Sequence, residues 1–186
     1  MNFDTLVLWS WLVPVLPLVG AIINAALRRS LSGNTSGGFA TLMILGSFVV
    51  SLLLFMGHDP AAHPVKIVKF FDWINVGGME IPFAFQIDAL SLTMMLIVTG
   101  VCSLIHLYSV GYMHDDKRVA TFFAMLNLFT FAMLLLVMGA NYLITFIGWE
   151  GVGLCSYLLI GFWYTNTEFN YAARKAFVMN RIGDVG

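Results

Sequence analysis

Between Asn141 and Tyr164 the chain reads NYLITFIGWEGVGLCSYLLIGFWY, an almost unbroken run of apolar and small side chains with one acid, Glu150. A helix rises ~1.5 Å per residue, so this run is long enough to cross a ~30 Å hydrocarbon core. Glu150 then lies ~13 Å along the axis, close to mid-depth. An acidic side chain there costs ~2.5–3.5 kcal/mol on insertion scales, so it must face protein or water, and it is a functional-site candidate by default. The competing reading is a structural glutamate hydrogen-bonded to a neighbouring helix, an interaction of about 0.6–2 kcal/mol. Apolar surroundings and a nearby cation pull the proton affinity of a carboxyl in opposite directions, and together they suit a group that takes up and releases a proton. Gly148, Gly151 and Gly153 leave little bulk beside Glu150 and admit a neighbouring helix or water.

The rest of the chain repeats the pattern. Leu6–Leu27 is a first span, with Pro14 and Pro17 expected to kink it, and it is closed by Arg28 and Arg29. Ser30–Gly38 (SLSGNTSGG) reads as a short polar turn, and Phe39–Met56 as the second span. Leu90–Tyr112 is the third, with His106 near its end, and the charged turn Met113–Arg118 follows. Phe122–Met138, containing Asn127, is the fourth, and the short turn Gly139–Asn141 makes the fourth and fifth antiparallel neighbours. Thr165–Asn170 is polar, and a sixth helical segment starts at Tyr171. Only 10% of the chain is charged, against roughly 25% in a soluble domain, and the mean hydropathy is +0.88. The class is therefore an all-α polytopic membrane protein of about six transmembrane helices. No basic patch suggests nucleic acid. The opening MNFD lacks the basic region of a secretory signal peptide.

Gly57–Ile87 is the one long connection. Within it, Lys66–Ile74 (KIVKFFDWI) and Met79–Ile87 (MEIPFAFQI) flank Asn75-Val76-Gly77-Gly78, the pattern of a β-hairpin between the second and third helices. Pro82 restricts the second run to an edge strand. His58 and His63 in this loop lack further metal-ligand spacing and read as solvated. Cys102 and Cys155 sit inside apolar runs and read as small buried hydrophobes, not as a disulfide, metal or iron–sulfur pair.

Arg181 and Asp184 are three residues apart on the sixth segment and share a helix face. Asp184 would lie ~20 Å into that helix. A charge at that depth with no helix beyond it points to a fragment, residues 1–186 being the N-terminal part of one transmembrane domain; the rival is a complete five-span protein with an amphipathic tail. With the N-terminus outside, Arg28, Arg29, Lys117, Arg118, Arg174 and Lys175 fall inside and only Lys66 and Lys69 outside, as the positive-inside rule requires.

Glu150, Asp184, Arg181, His106 and Lys175 are thus the candidates for proton handling, since acids, bases and a histidine inside a bundle are the parts of a relay. The plainer readings stand beside them. Arg181 with Asp184 is equally a structural ion pair, His106 an interhelical hydrogen bond, and Lys175 an interfacial anchor that snorkels. There is no nucleotide-binding glycine loop and no nucleophile–base signature. The GVG at Gly151–Gly153 follows an acid in mid-span, not a strand, and reads as packing.

GWEGVGLCSYLLIGFWY at Gly148–Tyr164 and KAFVMNRIGDVG at Lys175–Gly186 resemble the antiporter-like subunit L of proton-pumping NADH:quinone oxidoreductase, respiratory complex I, equivalent to mitochondrial NADH dehydrogenase subunit 5. FQIDALS at Phe85–Ser91, HLYSVGYM at His106–Met113 and FFAMLNLF at Phe122–Phe129 fit the same pattern. The resemblance implies that Glu150 is the acid of a Glu–Lys pair in a half-channel, the lysine lying on a seventh helix and not being Lys175. It implies that Asp184 is a functional carboxylate with Arg181 as its ion partner. It also implies a non-redox translocase subunit with no cofactor of its own, NADH, FMN, iron–sulfur clusters and quinone being bound by other subunits. The partners implied are the other complex I membrane subunits, especially a neighbouring antiporter-like subunit, and the lipid bilayer of a bacterial inner membrane. The large subunit of multisubunit sodium/proton antiporters shares much of the pattern and is the alternative. A membrane scaffold whose polar groups only hold helices together is the non-catalytic rival.

Overall fold

The computed structural model describes residues 3–60 and 64–186. Its elements in chain order are α1 (Phe3–Val7), α2 (Leu12–Ala26), α3 (Gly33–Gly57), β1 (Val65–Val76), β2 (Met79–Asp88), α4 (Ala89–Tyr112), α5 (Val119–Met138), α6 (Tyr142–Ile160) and α7 (Thr167–Val185). Five helical stretches are long and apolar enough to cross a membrane: Thr5–Ala26, α3, α4, α5 and α6. The sixth long helix, α7, is 19 residues long and much more polar. The chain is a multi-pass membrane protein, and its packing has the polarity a bilayer demands. Large apolar side chains such as Ile22, Leu42, Leu104 and Phe146 are exposed, while Asn24, Ser36, Ser47, Thr99, His106 and Asn127 are fully buried. In hydrocarbon a polar group must find its partner inside the protein. Thr41, Ser51, Thr99, Ser103 and Thr130 do so by donating to carbonyls one turn back in their own helices. Ser47 donates across to Val13 O of α2 at 2.9 Å.

Helix α5 is the centre of the bundle, touching α2, α3, α4 and α6. One apolar cluster at the hairpin end joins Phe3, Leu54, Phe85, Ile87, Met95 and Met138. A second at the opposite end joins Ala40, Met113, Val119, Phe123 and Phe162.

Several boundaries differ from the sequence reading: α7 starts at Thr167, within the segment read as a polar linker, and α5 at Val119, and two further differences have a local physical reason. The helix of the first span is interrupted ahead of its prolines. It breaks one turn earlier, at Leu8–Trp11, where Trp9, Ser10, Leu12 and Val13 donate to carbonyls three residues back. Pro14 has no N–H and its ring excludes a regular carbonyl at the i−4 position, so the disturbance falls on the turn before it. Pro17, by contrast, is accommodated inside α2. The segment Ser30–Gly38 is no loop beyond its start, because Gly33–Gly38 opens α3. Ser32 caps the helix by accepting from Thr35 N at 3.3 Å, and the small residues let α3 press on α5, with Gly37 against Phe123.

The hairpin forms as expected. β1 and β2 pair antiparallel around Gly77 and Gly78, whose φ of 60° and 89° make a two-residue turn of the type that matches strand twist. Pro82 pairs with Asp72 beside a bulge and is tolerated because each strand of a two-stranded sheet has a free edge. The hairpin also packs into the bundle. Ala84, Phe85 and Ile87 are buried, Ala140 N donates to Ala84 O at 3.2 Å, and Asn141 Nδ2 donates to Pro82 O at 2.8 Å. β2 thereby holds the turn from which α6 starts. His58 is not simply solvated, since its ring lies 5.2 Å from that of Phe3 and both nitrogens are enclosed, with no hydrogen-bond partner among the described residues. His63 lies outside the described residues.

Candidate functional site

Helix α6 starts at Asn141, whose side chain accepts from Ile144 N at 3.0 Å as an N-cap while its amide holds β2. Nine residues on is Glu150. The glycines around it have distinct tasks. A Cβ on Gly148 would stand 2.4 Å from the backbone nitrogen of Leu136, and one on Gly151 would stand 2.9 Å from Ala132 Cβ. These two bring the backbones of α5 and α6 together. Gly153 faces the other way, where a Cβ would lie 3.1 Å from Arg181 Nη2. The first pair sets α6 against the bundle and Gly153 makes room for a guanidinium from α7.

That guanidinium is the hub of the site. Arg181 Nη1 forms an ion pair with Glu150 Oε2 and lies 3.6 Å from Asp184 Oδ2. Its Nη2 approaches the Glu150 carbonyl at 3.5 Å. Phe177, one turn before Arg181, places its ring 4.8 Å under the guanidinium carbon and 5.3 Å from the ring of Tyr157. Phe177, Arg181 and Asp184 share one face of α7 by their spacing. Trp149 Nε1 donates to Asp184 Oδ1 at 2.6 Å, so each carboxylate is engaged from the other helix. All three charged side chains are partly buried, Asp184 most at 15% exposure. Arg181 Nε is buried without a partner among the described residues. One cation between two carboxylates leaves one negative charge uncompensated when both are ionised, and a single proton on either acid neutralises the set.

Beside the cluster lies a cavity of about 700 Å³ between α6 and α7, lined by Thr145, Trp149, Ser156, Asn180 and Asp184 among others. Asp184 forms part of its wall, opposite Trp149 and Gly153 of α6.

The expected Arg181–Asp184 pair is present and gains a second carboxylate. Arg181 is shared between Glu150 and Asp184 and is not Asp184's alone. His106 is fully buried in α4 and belongs to a different seam, with Nδ1 donating to Cys102 O at 2.8 Å, Nε2 unpaired, and its ring 6.1 Å from Phe123. Lys175 is exposed on α7 and, among the described residues, has no ion-pair partner in the cluster. Trp149 and Phe177 were not foreseen. A tryptophan at membrane depth next to an acid was the available signal for the first, because its N–H needs an acceptor there. Cys102 and Cys155 are both free thiols. No group of three or more metal-ligating side chains occurs among the described residues.

Comparison with known proteins identifies the family. Residues 73–123 match the family model of the NADH-ubiquinone oxidoreductase (complex I) chain 5 N-terminus. Residues 139–186, which hold Glu150, Arg181 and Asp184, match that of the NADH:quinone oxidoreductase/Mrp antiporter transmembrane region. The chain is 46% identical over 180 residues to NADH-quinone oxidoreductase subunit L of Mycobacterium tuberculosis, covering 96% of this chain and 28% of that protein. It is 42% identical over 173 residues to subunit L of Rickettsia bellii, covering 93% and 27%. It is 42% identical over 172 residues to NADH-ubiquinone oxidoreductase chain 5 of Allomyces macrogynus, covering 92% and 27%. The chain thus spans a little over a quarter of the length of these relatives. Nearly all of its own length is accounted for by them, and the chain belongs to the family of subunit L and chain 5 of the NADH:quinone oxidoreductases.

Proposed function

We propose that this chain forms the N-terminal part of one antiporter-like transmembrane domain, residues 1–186, in a membrane subunit that couples quinone reduction to proton translocation. The observation that carries the reading is the Arg181 guanidinium set between Glu150 and Asp184 at membrane depth. An intramembrane acid is retained at a cost of a few kcal/mol, which a proton-carrying role explains. Glu150 takes up the proton, Arg181 sets its charge state together with a lysine from a further helix, and Asp184 passes the charge to the cavity beside Trp149. His106 and Lys175 are auxiliary candidates away from this centre. The chain itself performs no redox step; NADH, FMN, iron–sulfur clusters and quinone bind to other subunits. Its partners are the other membrane subunits, first of all a neighbouring antiporter-like one. The location is a bacterial inner membrane with the N-terminus and hairpin outside, in line with the distribution of arginine and lysine between the two ends.

The test is Glu150→Gln in the full-length protein within its assembled complex. Pumping falls sharply while assembly is retained. Intact pumping would remove Glu150 from the proton path, and loss through failed assembly would return it to a structural role. The description of the second family match also includes the Mrp antiporter. Sodium-driven proton flux without a redox substrate would favour that reading.

A further inference from the structure

Two adjoining cavities at the end of the bundle opposite the hairpin have no part in the charged cluster. The first, of about 280 Å³, is a groove between α2 and α5 walled by Leu18, Ala21, Ile22, Ala25, Ala124 and Leu128. The second, of about 410 Å³, lies at its mouth against α6 and the start of α7, with Arg118, Tyr157, Tyr164 and Asn170 in its wall. Arg28, Thr121 and Met125 line both, so the two form one continuous feature, apolar at one end and basic at the other. Arg28 closes α2 and Arg118 precedes α5, which puts both at the membrane boundary.

The arginines are not consumed by the fold. Among the described residues neither has a carboxylate ion-pair partner. The nearby acid, Asp116, is occupied by the backbone N–H of Arg118 at 2.7 Å and by Trp163 Nε1 at 2.9 Å. Arg118 is held in place by donating from Nη2 to Phe162 O at 2.6 Å and by stacking over Phe162 and Tyr164 at 4.6 and 4.5 Å. That uses one of its five N–H donors and leaves a fixed positive charge at the cavity wall.

We infer that this feature is a binding site for an anionic phospholipid, with an acyl chain in the α2–α5 groove and the headgroup phosphate between Arg28 and Arg118. The charge at the mouth selects an anionic headgroup, and the apolar groove running from it toward the bilayer centre selects an attached chain over a free anion.

The test uses the full-length protein in its purified complex and a phosphatidylglycerol carrying a photoreactive acyl chain, with phosphatidylcholine bearing the same chain as control. The anionic probe labels peptides containing Leu18–Ala25 and Met125–Leu128 in preference to the zwitterionic one. Arg28→Gln lowers that labelling about fivefold, the factor one basic side chain near an anionic surface is worth. Ala25→Phe, which fills the groove, lowers labelling by both probes. Excess inorganic phosphate does not compete. Equal labelling by both lipids, or labelling indifferent to both substitutions, would reduce the site to ordinary lipid contact and overturn the inference. Absence of labelling in the unsubstituted complex would mean that other polypeptide covers the groove, and protection by free phosphate would assign it to a small anion.

Discussion

Arg181 is the side chain on which the three charges of the α6–α7 pair meet, and its neighbours explain why it stays there. Phe177 supports it from below, Gly153 leaves space for it, and carboxylates on two helices bracket it. The sequence was sufficient to single out Glu150, because a charge at that depth in an apolar helix stands out by cost alone, and Arg181 with Asp184 by their shared helix face. It was not sufficient to pair them. Spacing reveals i,i+3 neighbours on one helix, whereas the Glu150–Arg181 contact depends on how α6 and α7 rotate against each other. His106 shows the same limit, since its position near a helix end did not disclose that it faces α5. Asp88 shows a local rule that is legible and has a pH consequence. Burial raises its proton affinity, but hydrogen bonds from Ser91, Gln86 and Leu90 outweigh this and hold its carboxyl below the ordinary range. The folded value therefore lies below the unfolded one, ~3.9, so the stabilisation is complete above that pH and is lost as pH falls through the folded value. The protection factor of the Ser91 amide is expected to be flat at neutral pH and to drop below about pH 4. Asp88→Asn, which keeps a capping oxygen, should abolish the drop; an unchanged pH profile would remove Asp88 as its cause.

At the scale of elements, α6 is placed by two devices, one at its start and one in its middle. The Asn141 turn fastens its start to β2, and Gly148 brings it into backbone contact with α5. Gly148→Ala is expected to cost about 1–3 kcal/mol, because the obstacle is the backbone of Leu136 and cannot swing away. Gly38→Ala, with nothing within 4 Å of the new methyl group, should be neutral or stabilising by up to ~1 kcal/mol through helix propensity. Thermal unfolding of the full protein in detergent compares them, and equal shifts would contradict the close-approach role of Gly148. The hairpin was legible because its Gly-Gly turn and flanking β-prone runs are local signals. The start of α3 was not, since glycine and serine read as loop until a neighbouring helix explains why small residues are wanted there.

The whole molecule is a bundle with polar groups inside, apolar groups outside and two unlike ends. One end carries the hairpin and the Gly139–Asn141 turn; the other carries the arginines, Trp163 and Tyr164. Between them the charged cluster sits at one side, on the α6–α7 pair, away from the His106 seam around α4 and α5. The central claim is that Glu150, Arg181 and Asp184 act as one proton-exchanging unit. Protons pumped per NADH oxidised, measured in membranes carrying the assembled complex with Glu150→Gln, Arg181→Gln and the two combined, tests it most directly. If the charges act as a unit, each single substitution collapses pumping and the double is no worse than Glu150→Gln alone, as for residues that function together. Full pumping by any of the assembled variants, or single losses that multiply in the double, would contradict it.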